Sequence, residues 1–140
     1  MRPQFALSIA ALLTPMAVSA EQKAECTTDG LCSVFFNGRH LPETYRELKA
    51  KLSNKRTFKN GDHIHCVRIS LGPTGYCVFP EGLNKETMNG TEVKHLMHVL
   101  VKEGCVQCGR VSSTEDGPKK PGWLKVDYVA NIHGCRGLCQ

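Results

Sequence analysis

The spacing of apolar residues predicts a first amphipathic helix in the second quarter of the chain. Pro42 suits its first turn, and Asn54 lies just past its end. The polar residues between the apolar positions would face water. The apolar side chains recur every three or four positions, as on one side of an α-helix: Leu41, Tyr45, Leu48 and Leu52.

A second helix is the clearest element of the sequence. Thr91 is the predicted N-cap, and Gly104 has the position of a glycine that ends a helix. His95, His98 and Lys102 fall on the opposite side from the apolar stripe, which predicts a solvated face. The stripe consists of Val93, Leu96, Met97, Leu100 and Val101.

Runs of branched and aromatic residues predict strands around these helices. The segment Gly72-Pro73-Thr74-Gly75 is a turn that would join two of the strands into a hairpin, and Arg110 to Gly122 is a predicted polar loop. Together the elements indicate one α+β domain with an antiparallel sheet and two helices. The predicted strands are Ser33–Phe36, His63–Ser70, Tyr76–Phe79 and Trp123–Ala130.

The N-terminal segment has the features of a secretory signal. Arg2 precedes an apolar run at Phe5–Leu13, and Val18-Ser19-Ala20 ends in the small residues that a signal peptidase requires. The run is far shorter than the roughly 20 apolar residues of a membrane span. We therefore expect residues 1–20 to be a signal peptide and residues 21–140 to be a secreted, extracellular domain.

The net charge is a weaker indicator of function than the N-terminal segment is. The chain has 18 Lys and Arg against 13 Asp and Glu, a formal net charge of +5. Loss of Arg2 with the signal peptide leaves 17 against 13, or +4. Such an excess is small for a nucleic-acid-binding domain, so we expect no nucleic-acid partner. We also expect a monomer. Six histidines would add positive charge in an acidic medium.

The cysteine count predicts a disulfide framework. An even number in an oxidising compartment favours four bridges, each of which typically stabilises the fold by about 2–4 kcal/mol. With no free cysteine expected, we expect no catalytic thiol either. The eight residues are Cys26, Cys32, Cys66, Cys77, Cys105, Cys108, Cys135 and Cys139.

The pair Cys105 and Cys108 forms a CxxC motif with three possible uses. A redox pair is disfavoured because the motif follows the negative end of a helix, where the dipole does not stabilise a thiolate. A zinc site with Cys135 and Cys139 is disfavoured by the oxidising compartment. In extended chain the two side chains point to opposite faces, so we expect each to bridge elsewhere.

Other chemical motifs are sparse. The chain contains no GxSxG, no HExxH and no glycine-rich phosphate loop, and we expect neither an enzyme nor a cofactor. His63 and His65 could share a strand face and chelate a metal, but an ordinary half-exposed face is favoured, so we expect no metal. Asn89-Gly90-Thr91 is an N-glycosylation sequon, which makes Asn89 a candidate glycan acceptor.

The second helix and the following segments resemble the killer protein four family, a type of fungal killer toxin. The resemblance rests on Lys94-His95-Leu96, on Gly104-Cys105-Val106-Gln107-Cys108-Gly109, and on the strand Gly122 to Val129. The spacing of Cys26 and Cys32 also fits. The resemblance is strongest over residues 93–129.

This resemblance implies a disulfide-stapled α/β-sandwich, in which an antiparallel sheet carries two antiparallel helices packed on one face. It also implies the bridges Cys26–Cys105 and Cys32–Cys108, and it leaves the pairing of the other four cysteines open. The implied activity is toxicity to competing fungi or plant host cells through inhibition of calcium uptake. The implied partner is a membrane calcium channel or another surface component of the target cell.

In the family, toxicity is associated with a basic residue just before a cysteine of a central strand. The position two before Cys66 is Ile64, so we assign target binding to other basic residues nearby and in the polar loop. The alternative function is a binding module or effector of the same fold that recognises a cell-wall or host component, which an aromatic or acidic patch around Trp123 would favour. The candidate target-binding residues are Arg68, Lys119, Lys120 and Lys125, with His63 and His65 when protonated below a pH of roughly 6.5.

Overall fold

The computed structural model describes residues 22–26, 31–34, 38–69, 72–113 and 120–140. The predicted signal peptide and Lys119 lie outside these residues. Within them, no helix is both long and apolar enough to cross a membrane. The helices are α1 (Leu31–Val34), α2 (His40–Lys51) and α3 (Gly90–Lys102). The strands are β1 (Ala24–Glu25), β2 (Thr57–Phe58), β3 (His65–Arg68), β4 (Gly75–Glu81), β5 (Met88–Asn89), β6 (Gly109–Ser112), β7 (Trp123–Val129) and β8 (Gly137–Leu138).

Six strands form one sheet in the order β1-β6-β7-β4-β3-β8, and every neighbouring pair is antiparallel. β2 and β5 form a separate two-stranded sheet. The predicted hairpin is present as β3 and β4, with Cys66 directly opposite Cys77. β4 and β7 pair along their full length. The predicted α+β fold with an antiparallel sheet is confirmed.

The helices α2 and α3 lie side by side and run in opposite directions. Near the start of α2, the Leu41 amide donates a hydrogen bond to the carbonyl of Val106, just past α3. At the other end, Gly90 opens α3 against the main chain of Ser53, just past α2. The predicted antiparallel helix pair is confirmed.

One hydrophobic core joins both helices to one face of the sheet. The predicted stripes supply most of the helical contribution, and Tyr45 and Val101 pack at its edge. Burial of each large aliphatic side chain stabilises the fold by roughly 1.5–3 kcal/mol. Its fully buried members include Leu41, Leu48, Val93, Leu96, Met97 and Leu100 from the helices and Val78, Val111, Leu124 and Val126 from the strands.

The end of α3 is a Schellman motif, as the position of Gly104 predicted. Gly104 has a φ of 89°, a left-handed conformation that glycine adopts without steric cost. Its amide donates to the carbonyl of Val101, and the Cys105 amide donates to the carbonyl of Leu100. The turn directs Cys105 back towards the N-terminal segment.

All eight cysteines are paired. Both bridges that the family resemblance implied are present, with Cα–Cα distances of 4.9 and 6.3 Å. They span 79 and 76 residues, so in the chain-entropy account they restrict the unfolded chain far more than the two short bridges do. The pairs are Cys26–Cys105, Cys32–Cys108, Cys66–Cys77 and Cys135–Cys139.

Two predicted segments were wrong. Leu31–Val34 is a helical turn and not the start of a strand at Ser33, and Phe35 and Phe36 lie outside the described residues. The turn brings Cys32 to Cys108 and places the Cys32 carbonyl where the Tyr76 hydroxyl donates to it at 3.0 Å. The predicted polar loop at Arg110 instead begins inside β6, which pairs with both β1 and β7.

The predicted N-cap of α3 was also wrong. The helix begins at Gly90, and the cap is Asn89, whose Oδ1 accepts a hydrogen bond from the Glu92 amide at 2.9 Å. Thr91 lies inside the first turn. Asn89 is the cap because its own backbone is extended, which lets its side-chain oxygen reach a free amide of the first turn.

Candidate functional site: two grooves beside the C-terminal loop

The loop between β7 and β8, residues 130–136, lies on the sheet face opposite the helices and is called the C-terminal loop below. Ile132 anchors it, because this side chain packs against the Cys66–Cys77 disulfide, which is on that face. The Ile132 amide donates to the carbonyl of Pro73 at 2.7 Å. A Cβ on Gly75 would lie 2.7 Å from the Ile132 side chain, so glycine is required for this close approach.

The loop turns sharply through left-handed backbone. His133 has a φ of 49° and Gly134 a φ of 74°. A non-glycine residue in this region is uncommon, and here the His133 amide donates to Oδ1 of Asn131 at 2.8 Å. The turn brings the His133 ring to a centroid distance of 5.7 Å from the His63 ring.

A groove of about 580 Å³ opens on one side of the loop and is called the histidine groove. His63 and His133 line it together with Arg56, Asp62 and the C-terminal Gln140. The Arg56 guanidinium is held in place, because Nη1 donates to the Cys139 carbonyl at 2.6 Å and the group lies over the Phe58 ring at 4.9 Å. The groove therefore contains charges of both signs.

The pKa of His63 is lowered from the ordinary histidine value of 6.5. Burial is the main cause and the neighbouring His133 the second, whereas a backbone hydrogen bond at Ile132 and the charge of Asp62 act in the opposite direction. His63 is thus neutral at neutral pH. It therefore gains its positive charge at a lower pH than an ordinary histidine does.

A smaller groove of about 280 Å³ opens on the other side of the loop and is called the arginine groove. Arg68 enters from the end of β3, where its Nε donates to the Gly72 carbonyl at 3.1 Å, and the exposed Arg136 enters from the loop. Gly72, Pro73, Ile132 and Gly134 complete the lining. None of these described lining residues carries a carboxylate, so the lining of the groove is basic.

Two predicted target-binding residues, Arg68 and His63, thus lie on the two sides of the C-terminal loop. His65 does not, and its assignment was wrong. β3 begins at His65, which faces the helices, is 3% exposed, and contacts Glu47 of α2. Burial leaves almost none of its side chain for a target to contact.

Lys125 is also poorly placed for target binding. Only 13% of its side chain is exposed, because Nζ pairs with Glu81 at 3.1 Å and with Asp127 at 3.5 Å. Lys120 is exposed and lies near Asn84, whose Nδ2 donates to the Lys120 carbonyl at 2.6 Å. Lys120 lies near the Trp123 end of β7, whereas Arg68 lies near the Val129 end. At the usual rise per strand residue, these two ends are about 20 Å apart. Lys119 lies outside the described residues.

Three basic residues of the grooves escaped the sequence interpretation: Arg56, His133 and Arg136. Arg56 is in a short connection with no motif. His133 and Arg136 lie on either side of Gly134 and Cys135. The glycines around this cysteine pair were the only signal in the sequence of a tight loop.

The sheet face away from the helices has mixed charge near Trp123. The Arg110 guanidinium lies over the Trp123 ring at 4.3 Å and pairs with Glu25 at 2.7 Å. Lys125 lies 5.9 Å from the centre of the Phe79 ring. These cations cover part of both aromatic rings, so this region is not a free aromatic patch.

Asn89 is exposed at the start of α3. Its Oδ1 is engaged by the cap hydrogen bond, whereas a glycan is joined to Nδ2. The cap and a glycan are therefore compatible at this residue.

Potential metal ligands in the described part of the chain converge only where cysteines are present. Disulfide sulfurs are not the thiolates that bind metals, so no group there offers three ligands. His63 and His65 do not form a pair, because one borders the groove and the other faces the helices. The groups are His63 with Cys66 and Cys77, Cys66 with Cys135 and Cys139, and Cys32 with Cys108 and Asp127.

Comparison with known proteins gives one family match. A family model described as Kp4 matches residues 9–130, which is most of the chain. No curated protein matches the chain. The matched region contains both long helices, β1 to β7 and the segment that carries Arg68.

Proposed function

Because the chain belongs to the Kp4 family of killer-toxin-like fungal proteins, we propose that it is a secreted toxin that inhibits calcium uptake by target cells. The action is binding and not catalysis, since Kp4 is a toxin family and not a known enzyme family. The target is a calcium channel, or another surface component, of a competing fungus or a plant host.

The arginine groove is the observation that supports this proposal. Arg68 and Arg136 line this groove, and no described lining residue is acidic. Cation channels commonly select their ions with rings of Asp and Glu side chains. Guanidinium groups bind carboxylates through paired hydrogen bonds, so two of them in one groove suit a channel mouth of this kind.

The disulfide framework supports export. Four disulfides persist in oxidising compartments and are rare in the cytosol. We propose that residues 1–20 direct secretion and are removed, and that the protein acts from outside the target cell. His63 then strengthens binding in acid, at a lower pH than an ordinary histidine would.

Calcium influx measured in fungal and plant cells tests the proposal. Purified protein beginning at Glu21 is added to the cells, and influx and growth are recorded with and without extra calcium. The proposal predicts lower influx and slower growth, with growth restored by calcium. Unchanged influx in every cell type tested contradicts it.

The alternative is that the same fold binds a wall polysaccharide or host protein without affecting a channel. A free aromatic or acidic patch around Trp123 would favour it, but the ring of Trp123 is partly covered by Arg110. Pull-down with wall polysaccharides and with membrane fractions separates the two functions. Retention on wall material alone, with influx unchanged, supports the alternative.

A further inference from the structure

Two disulfides meet where the C-terminal loop packs on the sheet. Sγ of Cys139 lies 3.8 Å from Sγ of Cys66, although Cys139 is bonded to Cys135 and Cys66 to Cys77. The Cys66, Cys135 and Cys139 sulfurs all lie within 4.8 Å of one another. Thiol–disulfide exchange requires that a thiolate reach a disulfide sulfur, and this contact supplies that proximity.

The two bonds differ in their access to solvent. Cys66 is 1% exposed and Cys77 is fully buried, whereas Cys135 is half-buried and borders the histidine groove. A thiol in solution therefore reaches Cys135 before it reaches the buried bond. The Cys135–Cys139 bond spans only 4 residues, so its opening frees little chain.

We propose that a low-molecular-weight thiol modifies Cys135 and starts an exchange that converts the Cys66–Cys77 disulfide into a Cys66–Cys139 disulfide. In the first step the external thiolate bonds to Cys135, the Cys135–Cys139 bond breaks, and Cys139 leaves as a thiolate. In the second step that thiolate bonds to Cys66, the Cys66–Cys77 bond breaks, and Cys77 takes the electron pair and then a proton. One thiol is consumed and no oxidant is needed.

The released sulfur has a neighbour that suits it. Nδ1 of His63 lies 3.6 Å from Sγ of Cys77, within hydrogen-bonding range for sulfur. The product carries the external thiol on Cys135 in the histidine groove, and it no longer has a bridge between β3 and β4. Its new bond ties the C-terminal segment to β3, beside which β8 already lies. This inference is independent of the channel proposal.

Reduced glutathione is the probe for this exchange. The folded protein is incubated with it, quenched in acid, alkylated and mapped by mass spectrometry. The expected product has glutathione on Cys135, the alkyl label on Cys77 and a Cys66–Cys139 cross-linked peptide. Label on Cys139 with the Cys66–Cys77 bond intact, or no glutathione on Cys135, overturns the proposal.

Two single variants test the second step without any external thiol. Cys135→Ser leaves Cys139 with a free thiol, and label is then expected on Cys77. Cys139→Ser is the matched control, and its label is expected to stay on Cys135. Label confined to Cys139 in the first variant overturns the proposal, and an intact Cys26–Cys105 peptide verifies that each variant is folded.

Discussion

The Nε2 atom of His65 lies 2.6 Å from the Oε2 atom of Glu47, so a polar contact joins β3 to α2 inside the fold. Glu47 also binds Lys51 at 2.9 Å, and both partners lower the pKa of its carboxyl, His65 more than Lys51. The contact explains why His65 serves the scaffold and is not part of a target-binding surface.

Glu47→Ala is expected to destabilise the protein by roughly 1–3 kcal/mol. The substitution leaves the buried His65 ring without its Glu47 partner, and a buried polar group without a partner costs about that much. Urea denaturation measures the change in the free energy of unfolding. Glu43→Ala is the control on the same helix, because its pairing with Arg46 is exposed and is expected to contribute little. Equal losses in the two variants contradict the assigned role of the contact.

Gly90→Ala is expected to cost more than a typical surface substitution. A Cβ at this position would clash with the carbonyl oxygen of Ser53, so the main chain just past α2 or the start of α3 would have to shift. Overpacking of this kind costs roughly 1–3 kcal/mol or prevents folding. The melting temperatures of Gly90→Ala and of Thr91→Ala, a variant at an exposed neighbouring position, measure this cost. A melting temperature equal to that of the control is inconsistent with the packing described.

Stability is expected to fall in mild acid because of His40. Burial lowers the pKa of His40 from the ordinary histidine value of 6.5 to about 4. A backbone hydrogen bond at Gln107 and the charge of Glu43 oppose this shift, and the charge of His65 adds to it. The unfolded state binds the proton more readily, so the contribution is complete above pH 6.5 and is lost as pH falls towards about 4. The full loss is about 3 kcal/mol.

Denaturation at a series of pH values in wild type and His40→Phe measures this effect. Phenylalanine keeps an aromatic ring against Tyr76, on which His40 stacks at 4.5 Å, and it cannot titrate. The variant is expected to lose less stability between pH 6.5 and 4. His98→Phe, at an exposed position, should keep the wild-type slope. Parallel slopes in wild type and His40→Phe contradict the assignment.

Asn89 permits the cap and the glycan to be separated. Asn89→Ala removes both and is expected to cost about 1 kcal/mol, whereas Asn89→Asp removes the glycan site and keeps a capping oxygen. Thr91→Ala removes the sequon and leaves the cap intact. Mass spectrometry of secreted protein before and after glycosidase treatment is expected to show a glycan on wild type alone. If Asn89→Asp is as unstable as Asn89→Ala, the cap hydrogen bond does not contribute as described.

The helices could be predicted from the sequence because their apolar stripes are long and regular. Leu41, Leu48 and Leu96 recur at helical spacing, and Gly104 marks an end. β6 could not, because Gly109–Ser112 is short and its apolar content is a single Val111. Its strand conformation is imposed by pairing with β7, a contact distant in sequence.

The candidate site was only partly predictable. A basic residue such as Arg68 is visible in the sequence, but its neighbour Arg136 reaches it only through the fold of the C-terminal loop. His63 and His65 appeared equivalent because the extent of β3 was overestimated. The strand begins at His65, and because of the preceding bend His63 lies at the histidine groove, while His65 faces the helices.

The most direct test of the proposed function is calcium influx with a pair of charge-matched double variants. Arg68→Gln with Arg136→Gln removes both cations of the arginine groove. Lys49→Gln with Lys102→Gln removes the same charge from exposed positions on α2 and α3. We predict that the arginine variant loses inhibition of influx while the lysine variant retains it. Equal inhibition by both folded variants would contradict the assignment of target binding to this groove.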